Sequence, residues 1–244
     1  MARIFAALVF VGLSLAGAEA SQDPDFLFGA PRFSVGGRFG WNLARTDSDL
    51  FEFFREELTV GDRDFDAPTI GFDFAFLLNQ HVDAVFGAGF TRANVTSEFR
   101  RFIGTDDLPI TQETRLTQSP LTGGLKFYLT PRGREVSQYA WVPHRAAPFV
   151  GGGGGFVWYK LEQTGEFVDS EDLSIFPAML SSTGWAPTAH VFGGLDVSLN
   201  PNLVLTIEAR YAWADSELQP DFLGFDPIDL TGLGITAGIY WLIK

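Results

Sequence analysis

From Phe33 onward the chain alternates oily and small or polar side chains with a period of two, over and over. Odd positions from Phe33 carry Phe33, Val35, Gly37, Phe39, Trp41 and Leu43, while even positions carry Arg32, Ser34, Gly36, Arg38, Gly40 and Asn42. Successive side chains of an extended strand point to opposite faces, so each such run predicts a strand with one apolar face. A second run sets Ile70, Phe72, Phe74, Phe76 and Leu78 against Thr69, Gly71, Asp73 and Ala75. A tight connection at Asn79 to His81 leads into a third, with Ala84, Phe86, Ala88 and Phe90 against Val85, Gly87, Gly89 and Thr91, which is a hairpin signature.

Five further runs follow. Leu121, Leu125, Phe127 and Leu129 oppose Thr122, Gly124, Lys126 and Tyr128; a fifth run spans about Phe149 to Leu161, where both parities hold aromatics and the facing stays open. The sixth sets Val191, Gly193, Leu195 and Val197 against His190, Gly194, Asp196 and Ser198, and Asn200-Pro201-Asn202 turns it into the seventh. There Leu203, Leu205, Ile207, Tyr211 and Trp213 oppose Thr206, Glu208 and Arg210. The last places Leu233, Ile235, Ala237, Ile239 and Trp241 against Gly232, Gly234, Thr236, Gly238 and Tyr240. The connections read as long and polar after runs one, three, five and seven, and tight after two and six, with Pro131 to Ala146 a long exception. An even number of strands with that alternation of loop lengths predicts an all-β fold, a closed antiparallel up-and-down transmembrane β-barrel of eight strands.

Alternation alone does not say which face is inside, and a soluble lipocalin-like carrier has the same period. A soluble barrel would carry Lys and Glu densely outside, whereas here the less apolar face is mostly Gly, Ala, Ser and Thr, as a narrow interior requires. Arg or Lys facing lipid at the midplane costs about 2 to 4 kcal/mol, which sends Arg38, Lys126 and Arg210 inward, with Asp73, Asp196 and Glu208 on the same parity. Opposite charges in one narrow bore are expected to pair, because an unpaired buried charge is strongly unfavourable. Arg92 falls on the lipid parity near the upper boundary, where that cost falls to about 0 to 1 kcal/mol. Trp41, Tyr211, Trp213 and Trp241 are expected as lipid-facing aromatic anchors.

Met1, Arg3, an apolar stretch from Ile4 to about Leu15 and then Ala18-Glu19-Ala20 predict a cleavable signal peptide over residues 1–20, leaving 21–244 as the barrel domain. No downstream run approaches the roughly 20 apolar residues of a spanning helix. There is no cysteine, so thiolate chemistry and disulfides are excluded. The net charge of −13 argues against nucleic acid, whose recognition relies on clustered Lys and Arg.

The stretch from Gly194 through Asn200-Pro201-Asn202 to Tyr211 resembles the late hairpin of small outer-membrane β-barrel proteins, the OmpA/OmpW-like group, and Pro148-Phe149-Val150-Gly151-Gly152-Gly153 is similar to the fifth strand of that group. The resemblance implies the cell outer membrane of a Gram-negative envelope, contact with outer-membrane lipid and lipopolysaccharide, and assembly by the barrel-assembly machinery. That machinery reads a terminal aromatic, whereas this chain ends in Trp241-Leu242-Ile243-Lys244. With the last strand reaching Lys244, no peptidoglycan-binding domain is expected to follow.

Chemistry-bearing motifs are sparse. Gly151 to Gly155 lacks the Lys-Ser/Thr and the helix of a phosphate loop, so close strand packing or a kink is the reading adopted. His81, His144 and His190 have no zinc-protease spacing. His190 lies on the inner parity and invites comparison with lipid deacylases of the outer membrane, but the residue two positions on is Phe192 rather than Ser, and a hydrogen-bonded interior histidine is favoured. Asp47, Asp49, Glu56, Glu57, Asp62, Asp64 and Asp66, and then Asp169, Glu171 and Asp172, read as solvated acidic loops; Asp62 to Asp66 lacks the glycine and closing glutamate of a calcium loop. Divalent cations collected by these loops beside lipopolysaccharide phosphates are the weaker reading. Asn94-Val95-Thr96 matches a glycosylation acceptor by pattern only, and Arg132, Arg134 and Arg145 read as a solvated inner turn rather than a periplasmic contact.

Eight strands leave an interior just wide enough for side chains, so a wide pore is not expected. The expectation is a non-enzymatic protein, without cofactor, catalytic residue or metal, whose barrel anchors exposed acidic loops for envelope integrity or surface interaction. The OmpW-like resemblance implies that Phe51, Phe53 and Phe54, with Ile175, Phe176 and Met179, line an apolar entrance for a small hydrophobic ligand; loops folded around their own aromatics explain these residues equally well. A lipid-modifying enzyme of the outer membrane and a soluble carrier are the alternatives.

Overall fold

The structure is a computed structural model and describes residues 27–104, 108–137, 140–168 and 174–244. The leader assigned to residues 1–20, and Asp169, Glu171 and Asp172, lie outside the described residues. In chain order the elements are β1 (Phe33–Ala44), α1 (Asp49–Glu57), β2 (Ala67–Leu77), β3 (Val82–Ile103), β4 (Pro109–Tyr128), β5 (Gly133–Ser137), β6 (Ala140–Pro143), β7 (Ala146–Val168), β8 (Ile175–Asn200), β9 (Leu203–Ser216), β10 (Ile228–Asp229) and β11 (Gly232–Ile243). A short 3-10 turn, Pro220–Phe222, precedes β10.

The strand order is β9-β11-β1-β2-β3-β4-β7-β8, with β8 pairing back onto β9, so eight long antiparallel strands form a closed ring. Chain neighbours pair everywhere except at the seam, where β1 meets β11 from Phe33↔Ile243 to Ala44↔Gly232. Through the span that all eight share, closure pairs each strand on both sides, the condition a sheet needs when nothing polar surrounds it; above that span β3 beyond Thr91 and β8 before Thr188 pair with a strand on one side only.

The ring is lopsided. β3, β4, β7 and β8 run for 22, 20, 23 and 26 residues, whereas β1, β2, β9 and β11 have 12, 11, 14 and 12. The expected long loops after the third and fifth runs are therefore mostly continued strand. Alternation persists there with its polarity reversed. Along β3, Phe86, Ala88 and Phe90 are exposed, but beyond them Arg92, Asn94, Thr96 and Glu98 point out while Ala93, Val95 and Ser97 are buried. The same reversal follows Trp158 on β7, where Lys160 faces out and Tyr159 and Leu161 are fully buried.

The upper ends of the tall strands enclose a plug drawn from the connections on the short side. Ser48 precedes α1, and its carbonyl accepts the N–H groups of Phe51 (3.0 Å) and Glu52 (3.1 Å), opening the helix. Leu50, Phe51 and Phe54 occupy one helix face and pack with Leu58, Phe65, Phe222, Ile228 and Leu230 against Val95, Leu116 and Tyr159 of the wall. Each fully buried Phe or Leu contributes roughly 1.5 to 3 kcal/mol relative to exposure. Phe51 and Phe54 thus form a core and do not line an open entrance; Phe53 stacks edgewise on Phe225 at 5.5 Å, and exposed Phe176 and Met179 sit on the far β7–β8 hairpin. The plug spans the seam: Arg45 N–H donates to Thr231 O (3.0 Å), Asp47 N–H to Asp229 Oδ2 (3.3 Å) and Asp226 N–H to Asp49 Oδ2 (3.0 Å).

The opposite end carries the short turns and the connection from Pro131 to Ala146. Instead of a solvated turn, this connection forms the β5–β6 hairpin, to which Leu27 adds by reciprocal backbone bonds with Trp141 (2.8 and 2.9 Å). Trp141 is 4% exposed, lies over Gly133 and closes the lower end of the interior. Arg134 and Arg145 are exposed, whereas Arg132 turns inward to Asp83. An indole that size satisfies its apolar area only by entering the mouth, which pulls the hairpin under the ring.

Candidate functional site

The interior is built from the inward positions of all eight strands. Arg38 on β1 stands opposite Gly238 of β11 and Gly71 of β2, and the absence of side chains there makes space for its guanidinium. A Cβ on Gly71 would lie 2.8 Å from Arg38 Nε. Arg38 forms an ion pair with Asp73, whose other oxygen accepts the Tyr240 hydroxyl at 2.6 Å. Across the bore on β9, Arg210 pairs with Glu208 at 2.9 Å and lies 4.8 Å from the Phe192 ring centroid.

Lower down, Lys126 Nζ meets Asp196 Oδ2 at 2.8 Å and sits 3.7 Å from the Phe149 centroid. Asp196 also accepts from Tyr128 Oη (2.8 Å) and Thr206 Oγ1 (2.7 Å). Asp83 takes a bond from Tyr128 Oη at 3.2 Å and an ion-pair contact from Arg132 at 3.2 Å. Arg38, Asp73, Lys126, Asp196, Glu208 and Arg210 are thus all inside, arranged as three opposite-charge pairs. Arg132 and Asp83 join them, unanticipated from sequence because Arg132 lies in the inner connection and has no strand parity to read.

The remaining space is small. A lower cavity of about 50 Å³ and an upper one of about 100 Å³ are each lined by Glu208 and Arg210, which stand between them. A water occupies about 10 to 15 Å³ on this scale, so each chamber has room for a handful of waters and not for a small-molecule ligand. His190 lines the upper chamber, is 4% exposed and stacks on Phe192 at 5.7 Å, with its Nδ1 unpartnered among the described residues. His81 is exposed, and His144 Nδ1 contacts Pro131 O at 2.7 Å. No group of three or more potential metal ligands occurs among the described residues. The Asp62 to Asp66 carboxylates hold backbone and a cation instead: Asp64 accepts Gly61 N–H (2.7 Å), Asp66 accepts Ala44 N–H (2.9 Å) and Asp62 faces Arg55 at 3.7 Å.

The outer face is the other functional surface. Phe39, Ile70, Phe72, Phe86, Leu121, Phe156, Val191, Ile207 and Ile235 are exposed on consecutive strands, so an apolar band runs right round the ring. Trp41 and Trp213 project outward toward its upper edge, with Tyr211 packed on Trp213 at 4.9 Å, and Trp241 projects at the lower edge. Trp158 and Trp185, directly opposite each other on β7 and β8, extend the upper set. Sequence reading missed this pair because the five glycines before Trp158 carry no polarity from which to set the parity of β7.

No protein-family model matches the chain, and no curated protein sequence is detectably similar to it. Solved structures of similar arrangement include Neisserial surface protein A (NspA), at 9% identity and a TM-score of 0.48 over 86% of this chain and 97% of that one. The outer membrane protein OprG from Pseudomonas aeruginosa aligns at 14% identity and a TM-score of 0.47, over 89% of this chain and 100% of its own. Ail, the attachment invasion locus protein of Yersinia pestis, aligns at 13% identity and a TM-score of 0.44, over 86% and 99%. These three solved structures are small outer-membrane β-barrel proteins, at sequence identities of 9 to 14%.

Proposed function

We propose that this chain is a bacterial outer-membrane β-barrel protein, exported by its leader and folded by the barrel-assembly machinery, that works without catalysis and without a through-channel. Its barrel anchors a rigid, plugged crown at the cell surface for envelope integrity or surface interaction, in contact with outer-membrane lipid and lipopolysaccharide. The observation that carries this reading is the reversal of strand polarity above Phe90 and Trp158. A strand in hydrocarbon needs apolar residues outside and tolerates charge only inside; the same strand in water needs the opposite. A soluble carrier has no reason to reverse.

The filled bore weighs against passage of a hydrophobic ligand, since Phe51 and Phe54, proposed for an entrance, are packed in the plug. The buried, inward His190 weighs against a lipid-modifying enzyme, whose substrate would lie on the other side of the strand. Quenching by brominated acyl chains tests the reading. Single-tryptophan variants retaining Trp241 or Trp213 should be strongly quenched in brominated phospholipid vesicles, and one retaining Trp141 should not. Equal quenching of Trp141, or protein that stays in the aqueous supernatant, overturns it.

A further inference from the structure

Outside the ring, at the end carrying the short turns, a cleft of about 470 Å³ opens between residues 29–32, the β2–β3 turn and the β5–β6 hairpin. That volume falls in the range of about 300 to 1,000 Å³ usual for small-molecule sites, unlike either interior chamber. Three cations line it, and two of them, Arg32 and Lys244, are exposed and not within ion-pair distance of a carboxylate among the described residues. They stand side by side, because Arg32 N–H bonds Ile243 O at 2.9 Å. Lys244 is seated by Gly29: with φ at +87°, that residue presents a bare Cα, and a Cβ there would lie 3.3 Å from Lys244 Cε.

The other walls differ in kind. Arg132 is already engaged by Asp83 (3.2 Å) and Asn79 O (2.6 Å), so it shapes the cleft and offers little to a ligand. Glu135 is exposed, lines the cleft and is in register with Trp141. The rim toward the ring is apolar: Leu78 lines the cleft and is exposed, two residues beyond the outward-facing Phe76, and Phe33 pairs with both Phe76 and Ile243, which are exposed on the outer face. A ligand that satisfies the cationic and apolar walls has an anionic group for Arg32 and Lys244 and an apolar body for the row from Leu78 through Phe76 and Phe33 to Ile243, with Glu135 open to a hydroxyl or ammonium of the same headgroup.

We propose that this cleft binds the headgroup of a glycerophospholipid of the inner leaflet, with the phosphate held between Arg32 and Lys244 and the acyl chains running up that apolar row. Arg and Lys are the usual partners of phosphate oxygens, through charge-assisted hydrogen bonds. Continuity with the apolar band distinguishes a lipid from a free anion, which would leave that rim unused. The inference rests on the membrane reading above.

The test is a titration of the full chain in neutral-detergent micelles with short-chain phosphatidylglycerol, followed by the amide signals of Gly29, Gln80 and Gly133. Saturable shifts are expected, with affinity about tenfold or more weaker in the R32Q/K244Q variant, since two charge-assisted contacts are lost. Both positions are exposed, and an unchanged amide spectrum of the ligand-free variant away from the cleft checks that it folds. Inorganic phosphate binding as tightly as the lipid would make this a free-anion site and overturn the proposal. A short-chain neutral galactolipid binding equally would remove phosphate recognition and overturn it too. No saturable shift, in protein whose Trp241 is quenched by brominated lipid, rejects the cleft and leaves the membrane reading standing; loss of that quenching rejects the membrane reading itself.

Discussion

Lys126 on β4 reaches Asp196 on β8 at 2.8 Å although β7 lies between their strands. On β7 the residue in register with Lys126 is Gly151, whose partner on β8 is Phe192, while Asp196 is in register with Ala147. With no side chain at 151, the Phe192 ring lies over β7 there, while the Lys126 ammonium passes 3.7 Å from the Phe149 centroid to reach Asp196. Gly151 is therefore what lets an aromatic ring fill the narrow bore beside this ion pair.

Removing one partner should be costly. Lys126→Met leaves Asp196 buried with only the hydroxyls of Tyr128 and Thr206, and a loss of about 3 to 5 kcal/mol is expected in urea unfolding from lipid vesicles. Asp196→Asn leaves Lys126 without its anion and keeps one acceptor oxygen where Oδ1 and Oδ2 each take a hydroxyl, so a similar loss is expected. A loss below about 1 kcal/mol for Lys126→Met, the range of an exposed pair, would mean that this charge is solvated.

Glycine substitutions should separate by position. A Cβ at Gly151 would stand 2.5 Å from Leu125 O and against the Phe192 ring, so Gly151→Ala should cost about 1 to 3 kcal/mol or more through overpacking. At outward Gly37 the nearest atom is Gly71 O at 3.7 Å, and Gly37→Ala should be neutral or slightly stabilising. The same unfolding assay compares them. Equal effects at both positions would remove the packing explanation of the run.

These two sites also mark how far the sequence could be read. Parity alone puts Arg38, Asp73, Lys126, Asp196, Glu208 and Arg210 on one side of their strands, and opposite charge suggests their pairing. It could not give the length of β3, β4, β7 and β8, because Phe90 and Arg92 share a face yet differ in polarity, and a pattern that changes phase looks like the end of a strand. Trp141 was illegible for another reason: its burial depends on a hairpin folding back under the ring, a long-range contact with no local periodicity. The plug aromatics gave two readings because Phe51 and Phe54 lie one helical turn apart, a spacing equally suited to lining a groove and filling a core.

Charge placement on the outside should depend on height. Phe72→Arg, in the apolar band, should destabilise the protein in bilayers by about 2 to 4 kcal/mol, whereas Asn94→Arg, above the band, should cost about 0 to 1. Unfolding midpoints of the two variants in the same vesicles decide this. Indistinguishable costs would place position 72 outside hydrocarbon.

The plug should be separable from the ring. Phe54→Ala removes a 1% exposed ring from the core, an expected loss of about 3 to 5 kcal/mol from that packing. Limited proteolysis should then cut within residues 45–66 while the boiled and unboiled gel mobilities still differ. Loss of that mobility difference would mean that the ring needs the plug to persist.

The bridges from residues 45, 47 and 226 to 231, 229 and 49 have a bearing on how the molecule finishes folding. Every pairing in the ring but one joins strands that are consecutive among the eight long ones; only β1 and β11 must find each other across nearly the whole polypeptide. The segments that cross above this joint leave β1 and enter β11 directly, so zipping the joint brings them together, and their union resists its reopening. The most distant contact in the chain is thereby also latched, and a lipid molecule pressing sideways between β1 and β11 would have to undo two fastenings rather than one.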